Sequence, residues 1–445
     1  MEGGDLGHGI ELSADATERM MSFVEDAYPY FRSITGEGVR QTLRRASEIT
    51  PVELVEVPSG TPVLDWTVPD EWIVREAYVV APDGTRLFDV ADHNLHLLGY
   101  SVPFRGTLPL DELKEHLYTD PELPDLIPNR SSFYVPRWGF CAAHRQVEAL
   151  RPGAYEVVVD TELVPGSLTY GEIVVPGEEA DEVLISTHVD HPSLANDNLT
   201  GIAVAAEVAR TIATTRHRYT YRFVFVPSVI GAITWLARNP DVVPRVRCGL
   251  VITGLGDSGA FVYKRSRRGA TLIDRVAEVV VGRSPGAELI DWYPFGYDER
   301  QYCSPGFDLA VGRLSRTLHG TFPEYHTSGD DLSFVDAGQV AAAAQMVLDV
   351  LGAVDANDTY RNLRPYGEPR LGPHGLLNRV GGGGATAAYE QALFWVLSLS
   401  DGDHDLVAIA QASGLAMATI VEAAGRLLDA GLIGPDDGAG GSVPG

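Results

Sequence analysis

The feature that most constrains this chain is an alternation that begins near residue 155. Short apolar runs, EVLISTH, YRFVFVPS and CGLVITG, are separated by two segments with helical spacing, Leu199 to Ala213 and AITWLARN. Runs of this length, rich in β-branched and aromatic residues, read as strands buried on both faces. Strand–helix alternation lays such strands in a central, largely parallel sheet covered by helices, an α/β fold. YEVVVDTEL and GEIVVPG, just upstream, read as a hairpin. Open α/β sheets bind ligands beyond the carboxyl ends of their strands. The stretch THVDHPSLANDNLTG, with His188, Asp190, His191 and Asp197, starts at the end of EVLIS and so stands where chemistry is expected.

The remaining segments differ in texture. The sequence Ser13-Ala-Asp-Ala-Thr17-Glu18 marks a helix start, and Met21, Phe23 and Val24 give it an apolar face. A second helix is expected over Gly38 to Ile49. From Pro51 to about Pro136, β-like runs (VELVEV, WIVREAYVV, TRLFDV) alternate with turns such as Pro82-Asp83-Gly84, with one helix at Leu110 to Leu117. TDPELPDLIPNR reads as surface loop. GGGGA at 381–385 reads as a linker, and residues 386–434 as three helices with Gly414 in a turn, a winged-helix or helix-turn-helix pattern. The recognition-helix stretch, Met417 to Arg426, carries too little positive charge for a DNA reader, so packing or dimerisation is the favoured role.

A chain of 445 residues is too long for one ordinary core, and two or three domains are expected. Its net charge of −27 argues against general nucleic-acid binding and against anionic membranes. No apolar run is read as approaching the ~20 residues that cross a bilayer, and the acidic N-terminus lacks the pattern of a signal peptide. Cys141, Cys248 and Cys303 form no disulfide framework, which points to a reducing cytoplasm. Lys114 and Lys264 are the only lysines beside many arginines, a bias that suggests a GC-rich genome.

Zinc takes imidazole nitrogen and carboxylate oxygen, and catalytic sites leave one position open. His188 offers a ligand, Asp190 a partner to orient its ring, and Asp197 a carboxylate able to bridge or share a metal. FPEYHTSGDDLSF adds His326. A single His-x-Asp in a loop is more often a surface hydrogen-bonding pair, and His191 and His319 read as hydrogen-bonding loop residues rather than ligands. DERQY carries Asp298, Glu299, Arg300 and Tyr302. Arg300 suits a substrate carboxylate or, equally, an internal ion pair. Cys303 reads as structural. YKRSRRG (Lys264, Arg265, Arg267, Arg268) reads as a solvated turn, with an acidic substrate or another subunit as the alternative.

The order of these elements adds to their meaning. ISTHVDHPSLANDNLTGIAVAAEVAR resembles the first metal motif of M28-type zinc aminopeptidases, in which a His-x-Asp is followed by an Asp-Asn pair and a helix. GYDERQYCSPGFDLAVGRL resembles that group's Ser-Asp segment, and PEYHTSGDDLSFV its last histidine ligand. More closely, YPYFRSITGEGVRQTL, VPSGTPVLDWTVPDEW, HNLHLLGYSVPFRG, RWGFCAAH, LTYGE, YKRSRRG and DERQYCSPGF resemble the bacterial aminopeptidase-like DUF4910 family with a DUF2172 insertion. The resemblance implies a zinc-aminopeptidase-like (phosphorylase/hydrolase-like) central mixed sheet flanked by helices, over residues 1–55 and 137–378. It implies a β-rich inserted domain over 56–136 and a winged-helix-like domain over 385–445. It also implies His188, Asp197 and His326 as ligands of one zinc ion or two, Asp190 as the residue orienting His188, and Asp257 in GLGDSG as a further ligand. The aminopeptidase aspartate on this strand falls nearer Thr253.

One departure stands out. The aminopeptidases carry paired glutamates after a strand, general base then ligand, and DUF4910 proteins keep the first in a Pro-Glu-Thr-Ile-Gly segment. Here the residues are Pro227-Ser228-Val229-Ile230-Gly231. A serine hydroxyl cannot take a proton at neutral pH as a carboxylate does. Glu324, two residues before His326, is the nearest replacement in sequence, unless its side chain points away. The expectation is therefore a cytoplasmic zinc-dependent hydrolase of an amide bond in a small peptide or aminoacyl-type metabolite, with a homo-oligomer compatible with the appended helices. A catalytically silent ligand-binding relative is the alternative, and a metal-linked transcription factor ranks last.

Overall fold

The computed structural model describes residues 9–132, 135–376 and 384–435. Its centre is an eight-stranded sheet. In chain order the strands are β1 (Glu53–Pro58), β2 (Ser167–Val175), β3 (Glu182–His188), β4 (Thr220–Val226), β5 (Val246–Ile252), β6 (Val262–Lys264), β7 (Glu288–Ile290) and β8 (Val311–Ser315). Their spatial order is β1-β2-β4-β3-β5-β8-β6-β7. The middle four, β4-β3-β5-β8, run parallel, whereas β1, β2 and β6 pair antiparallel with neighbours. The sheet is thus mixed, as the resemblance implies, with its parallel part where the apolar runs foretell it.

Residues 182–188 of β3 are buried throughout, as a central strand requires. Val183 and Ile185 face one core with helices Ala16–Ala27, Gly201–Ile212, Leu272–Val280 and Ala337–Ala356. Leu184 faces the other core, closed by helix Ile230–Arg238 and the short helix Glu299–Tyr302. Ser186 and His188 share the Leu184 face because strand side chains alternate. Helix Ala337–Ala356 is the one helix among the described residues long and apolar enough to cross a membrane by length and composition. It was not foreseen as such a run, and it lies in the core through Val340, Ala344, Val347 and Leu351.

The inserted module is larger than expected. Its sheet joins Arg86–Leu87, Glu71–Val80, Ala154–Val164 and Phe104–Pro109 in that order. The predicted hairpin is therefore split between two sheets: Ala154–Val164 completes the insert, while β2 crosses into the central sheet. The insert's last strand lies beyond the expected boundary at 136.

At the C-terminus, helices Gly384–Leu399, Leu406–Ser413 and Met417–Asp429 match the three expected, and Gly414 takes the positive φ (+68°) that ends the second. Residues 381–383 of the expected linker lie outside the described residues. Strand Thr359–Asn362 pairs with Asp401–Asp405 and Ile433–Pro435, so the winged unit starts upstream of 385. It is docked, not tethered. Ile420, Val421, Ala424 and Leu427 join the core that also holds Val347 and Leu351, and Arg275 grips Asp405 through both guanidinium nitrogens at 2.9 and 2.7 Å.

Candidate metal centre

β3 ends at His188, and the chain then turns through His191 and Ser193 into the Ala195–Thr200 segment that carries Asp197. This loop is held by its own amide side chains. Asn198 donates to Thr187 Oγ1 (2.7 Å) and the His188 carbonyl (3.0 Å), and accepts from the Gly254 amide (3.2 Å). Gly201 must be a glycine, because a Cβ there would come within 2.3 Å of Asn198 Oδ1. Asp330 grips the same loop, its two oxygens accepting from the Asn196 (2.6 Å) and Asp197 (2.9 Å) amides. Burial, opposed by these amides, pushes its pKa up to about 8. Arg32, buried, donates from Nε to the His191 carbonyl at 2.7 Å.

The result is a convergence of imidazoles on one carboxylate. His188 Nε2 stands 2.9 Å from Asp197 Oδ1 and 2.9 Å from His191 Nδ1. The ligand atoms of His188, His191 and Asp197 all lie within 4.8 Å of one another. His326 Nε2 lies 3.1 Å from the other Asp197 oxygen. His326 has a left-handed backbone (φ 55°), which costs a non-glycine residue energy. The insert supports that turn: the Asn129 amide donates to the His326 carbonyl at 2.7 Å, and Ile127 and Ser328 exchange bonds.

Burial alone would raise the Asp197 carboxyl, but His191, His188 and His326 outweigh it and hold it well below the usual range. His188 is pulled down by burial and, more strongly in sum, up by Asp197 and its neighbours. Burial pushes His191 down to about 4. His188 Nδ1 is buried without a hydrogen-bond partner, and His326 Nε2 meets Asp197 Oδ2 as an ion-pair contact outside hydrogen-bond geometry. His188 Nε2, His191 Nδ1 and His326 Nε2 gather around a buried carboxylate, and a set of imidazoles with one carboxylate is the donor set zinc takes.

The other residues singled out in the sequence fall as follows. Asp257 is not in the cluster: its oxygens accept from Thr317 Oγ1 (2.5 Å), the Gly259 amide (2.8 Å) and Asn196 Nδ2 (3.0 Å), so it shapes the loop behind Asp197. Asp190 does not hydrogen-bond to His188; it accepts from the Ser228 amide at 2.7 Å. Ser228 lies half-buried past the end of β4, whose Val226 pairs with His188. Glu324 is half-buried in the His326 turn, and its carboxylate has no ion pair among the described residues. Arg300 has a buried Nε without a partner and is not among the groups around Asp197.

His191, which reads in the sequence as a hydrogen-bonding loop residue, is brought into the cluster by the structure. The available signal was spacing, since His191 stands three residues after His188 in the same loop beyond a strand end. Tyr297 and Tyr325, which no sequence motif marks, stack on His188 at 5.2 Å and on His326 at 4.0 Å.

Comparison with known proteins gives the family and the fold. Residues 21–357 match the model of DUF4910, a domain of unknown function, and 358–435 match a winged helix-turn-helix model. A Clostridium acetobutylicum protein, described as a candidate polysaccharide biosynthesis protein with an aminopeptidase-like domain, is 42% identical over 420 residues, 94% of this chain and 96% of its own. A crystal structure of a candidate peptidase from the same organism superposes with TM-score 0.89 at 40% identity, over 94% of this chain and 97% of the other. A zinc aminopeptidase from Bacillus subtilis shares the fold with TM-score 0.57 at 13% identity, over 77% and 95% of the two chains.

Proposed function

This chain belongs to the DUF4910 family and has an aminopeptidase-like fold, and from that premise we propose that it is a zinc-dependent hydrolase of an amide bond in a small peptide or aminoacyl-type metabolite. The observation that carries the reading is the convergence of His188, His191 and His326 on Asp197 at the carboxyl end of β3. Those four residues would hold the metal. Zinc bound there supplies Lewis acidity, polarising a carbonyl and acidifying water.

The chain's own groups divide the remaining work. Asp330 and Asn198 fix the loop that aims Asp197. Tyr297 and Tyr325 stack on His188 and His326 and limit solvent on that side. Glu324, half-buried in the same turn as His326, is the carboxylate we assign to proton transfer. The insert, by bracing the His326 turn, narrows the approach and favours a small substrate over a folded protein.

A second reading rests on Ser228: the fold and metal are kept, the catalytic base is lost, and the pocket binds a ligand without turnover. Elemental analysis of the purified chain beside His188→Ala, followed by a screen of small amides and peptides, separates the two. One zinc per chain that is lost in the variant, with hydrolysis, supports the enzyme. Zinc without hydrolysis of any amide supports the binding protein, and no zinc sinks both.

A further inference from the structure

Beside the cluster lies a small recess of about 10 Å³, bordered by Asp197, Tyr297, Ser315, His319, Phe322 and Tyr325. It has room for about one water-sized group, such as a single carbonyl oxygen. Ser315 is buried and its hydroxyl has no partner.

His319 enters this cavity in one defined protonation state. Its Nδ1 stands 3.0 Å from Nη1 of Arg313, a fully buried residue. A guanidinium is always charged and can only donate. Nδ1 must therefore accept, and the one proton of the neutral ring sits on Nε2. A doubly protonated ring would set N–H against N–H. Consistently, burial and then Arg313 push the His319 pKa down to about 4. With the Nδ1 edge taken, Nε2–H makes no hydrogen bond among the described residues. Tyr297 packs edge-on to the ring at 5.4 Å, and Tyr325 and Phe295 border it at 6.1 and 5.9 Å.

The apparatus behind the ring is costly. Arg313 lies 3.9 Å from Glu299, which is bound at 2.9 Å by Lys264, and all three are fully buried. Buried charges are expensive to desolvate, and an apolar set of the same volume often serves stability as well. What this chain of charges delivers is a neutral histidine with a fixed tautomer at the edge of the Asp197 cavity.

We propose that His319 is a catalytic hydrogen-bond donor: its Nε2–H binds the carbonyl oxygen of the scissile amide in the cavity beside Asp197. That oxygen gains negative charge as the amide is attacked, and a donor fixed in advance stabilises it without reorganising. His319 keeps its proton throughout. The role rests on the metallohydrolase reading above.

The test uses the full-length, zinc-loaded chain and acetohydroxamate, a small carbonyl ligand for zinc. Calorimetry is expected to show about tenfold weaker binding in His319→Phe. His319→Gln, which keeps an N–H donor, is expected to return to within about threefold of the parent. Long-range proton–nitrogen spectra of histidine-labelled protein are expected to show His319 protonated on Nε2, and the two tautomers mixed in Arg313→Met. A proton on Nδ1 in the parent overturns the proposal, as does equal affinity in zinc-loaded His319→Phe. A parent chain that binds no zinc overturns the underlying reading as well, and elemental analysis distinguishes that failure from the others.

Discussion

The Nε2 atom of His188 and the Nδ1 atom of His191 face each other at 2.9 Å, with Asp197 Oδ1 at 2.9 Å from the first and 3.9 Å from the second. Two imidazole nitrogens at that distance cannot both carry protons. A shared cation gives both lone pairs a partner. His191 is thus expected to be a ligand rather than a neighbour. His191→Ala should weaken zinc binding by more than the ~10–100-fold typical of losing a group behind a ligand, as read by chelator competition. Unchanged affinity would return His191 to the loop role its sequence context suggests.

How far the sequence alone reaches can be judged on particular residues. β3, β4 and β5 were legible because burial on both faces leaves a continuous apolar signal. The grouping of His188, Asp197 and His326 was legible because their order matches a known motif. The strand Ala154–Val164 was misplaced because a hairpin-like sequence does not reveal that its two arms join different sheets. Asp190 and Asp257 were misjudged for a related reason. A carboxylate's partner is fixed by tertiary approach, and here the Ser228 amide and Thr317 reach them first. Lys264 looked like part of a solvated basic turn, yet its ammonium is fully buried against Glu299.

The docked winged unit gives a second prediction. Asp405 accepts from the Ala408 amide at 2.8 Å, capping helix Leu406–Ser413, while also binding Arg275 and Asn357. Asp405→Ala removes the cap and leaves a half-buried guanidinium short of partners, at an expected cost of roughly 1–3 kcal/mol. Because the unit shares a core with the aminopeptidase-like domain, thermal unfolding should show one transition in the parent. A separate early transition in the parent would contradict the shared core.

The same docking bears on nucleic acid. Helix Met417–Asp429 turns Ile420, Val421, Ala424 and Leu427 inward and leaves Ala418, Glu422, Arg426 and Asp429 exposed. That face carries more acid than base, so no salt-dependent association with duplex DNA is expected. Fluorescence anisotropy with a labelled duplex at two salt concentrations checks this, and affinity that falls steeply with salt would refute it.

Acid sensitivity can be assigned to a histidine outside the cluster, His93. Burial, with His96 as the second cause, pushes His93 down to about 4, against ~6.5 in an unfolded chain. Between those values the unfolded state binds more protons, so stability rises with pH. The contribution of His93 is complete above about pH 6.5 and is lost as pH falls toward 4. His93→Asn keeps an acceptor for the Leu95 amide, which the ring now serves at 3.1 Å. The melting temperature of the variant should decline less steeply than the parent's across this window. Parallel declines would show that His93 titrates alike in both states.

The most informative substitution concerns the missing base. Val226 pairs with His188 in the sheet, and two residues later Ser228 gives its backbone amide to Asp190 at 2.7 Å. That bond belongs to the main chain and survives a change of side chain. Ser228→Glu therefore adds a carboxylate near the cluster while leaving Asp190 its partner. If the site is an amide hydrolase that lacks only its base, turnover of a small amide should rise ~10²–10⁴-fold, the usual worth of a positioned general base, with zinc content unchanged. If the parent already turns over and the variant gains nothing, another group supplies proton transfer, and Glu324→Gln should then lose activity by a similar factor. If neither protein turns over any amide while both hold zinc, the cluster serves binding, and the serine marks a pocket that has given up the reaction but kept the metal.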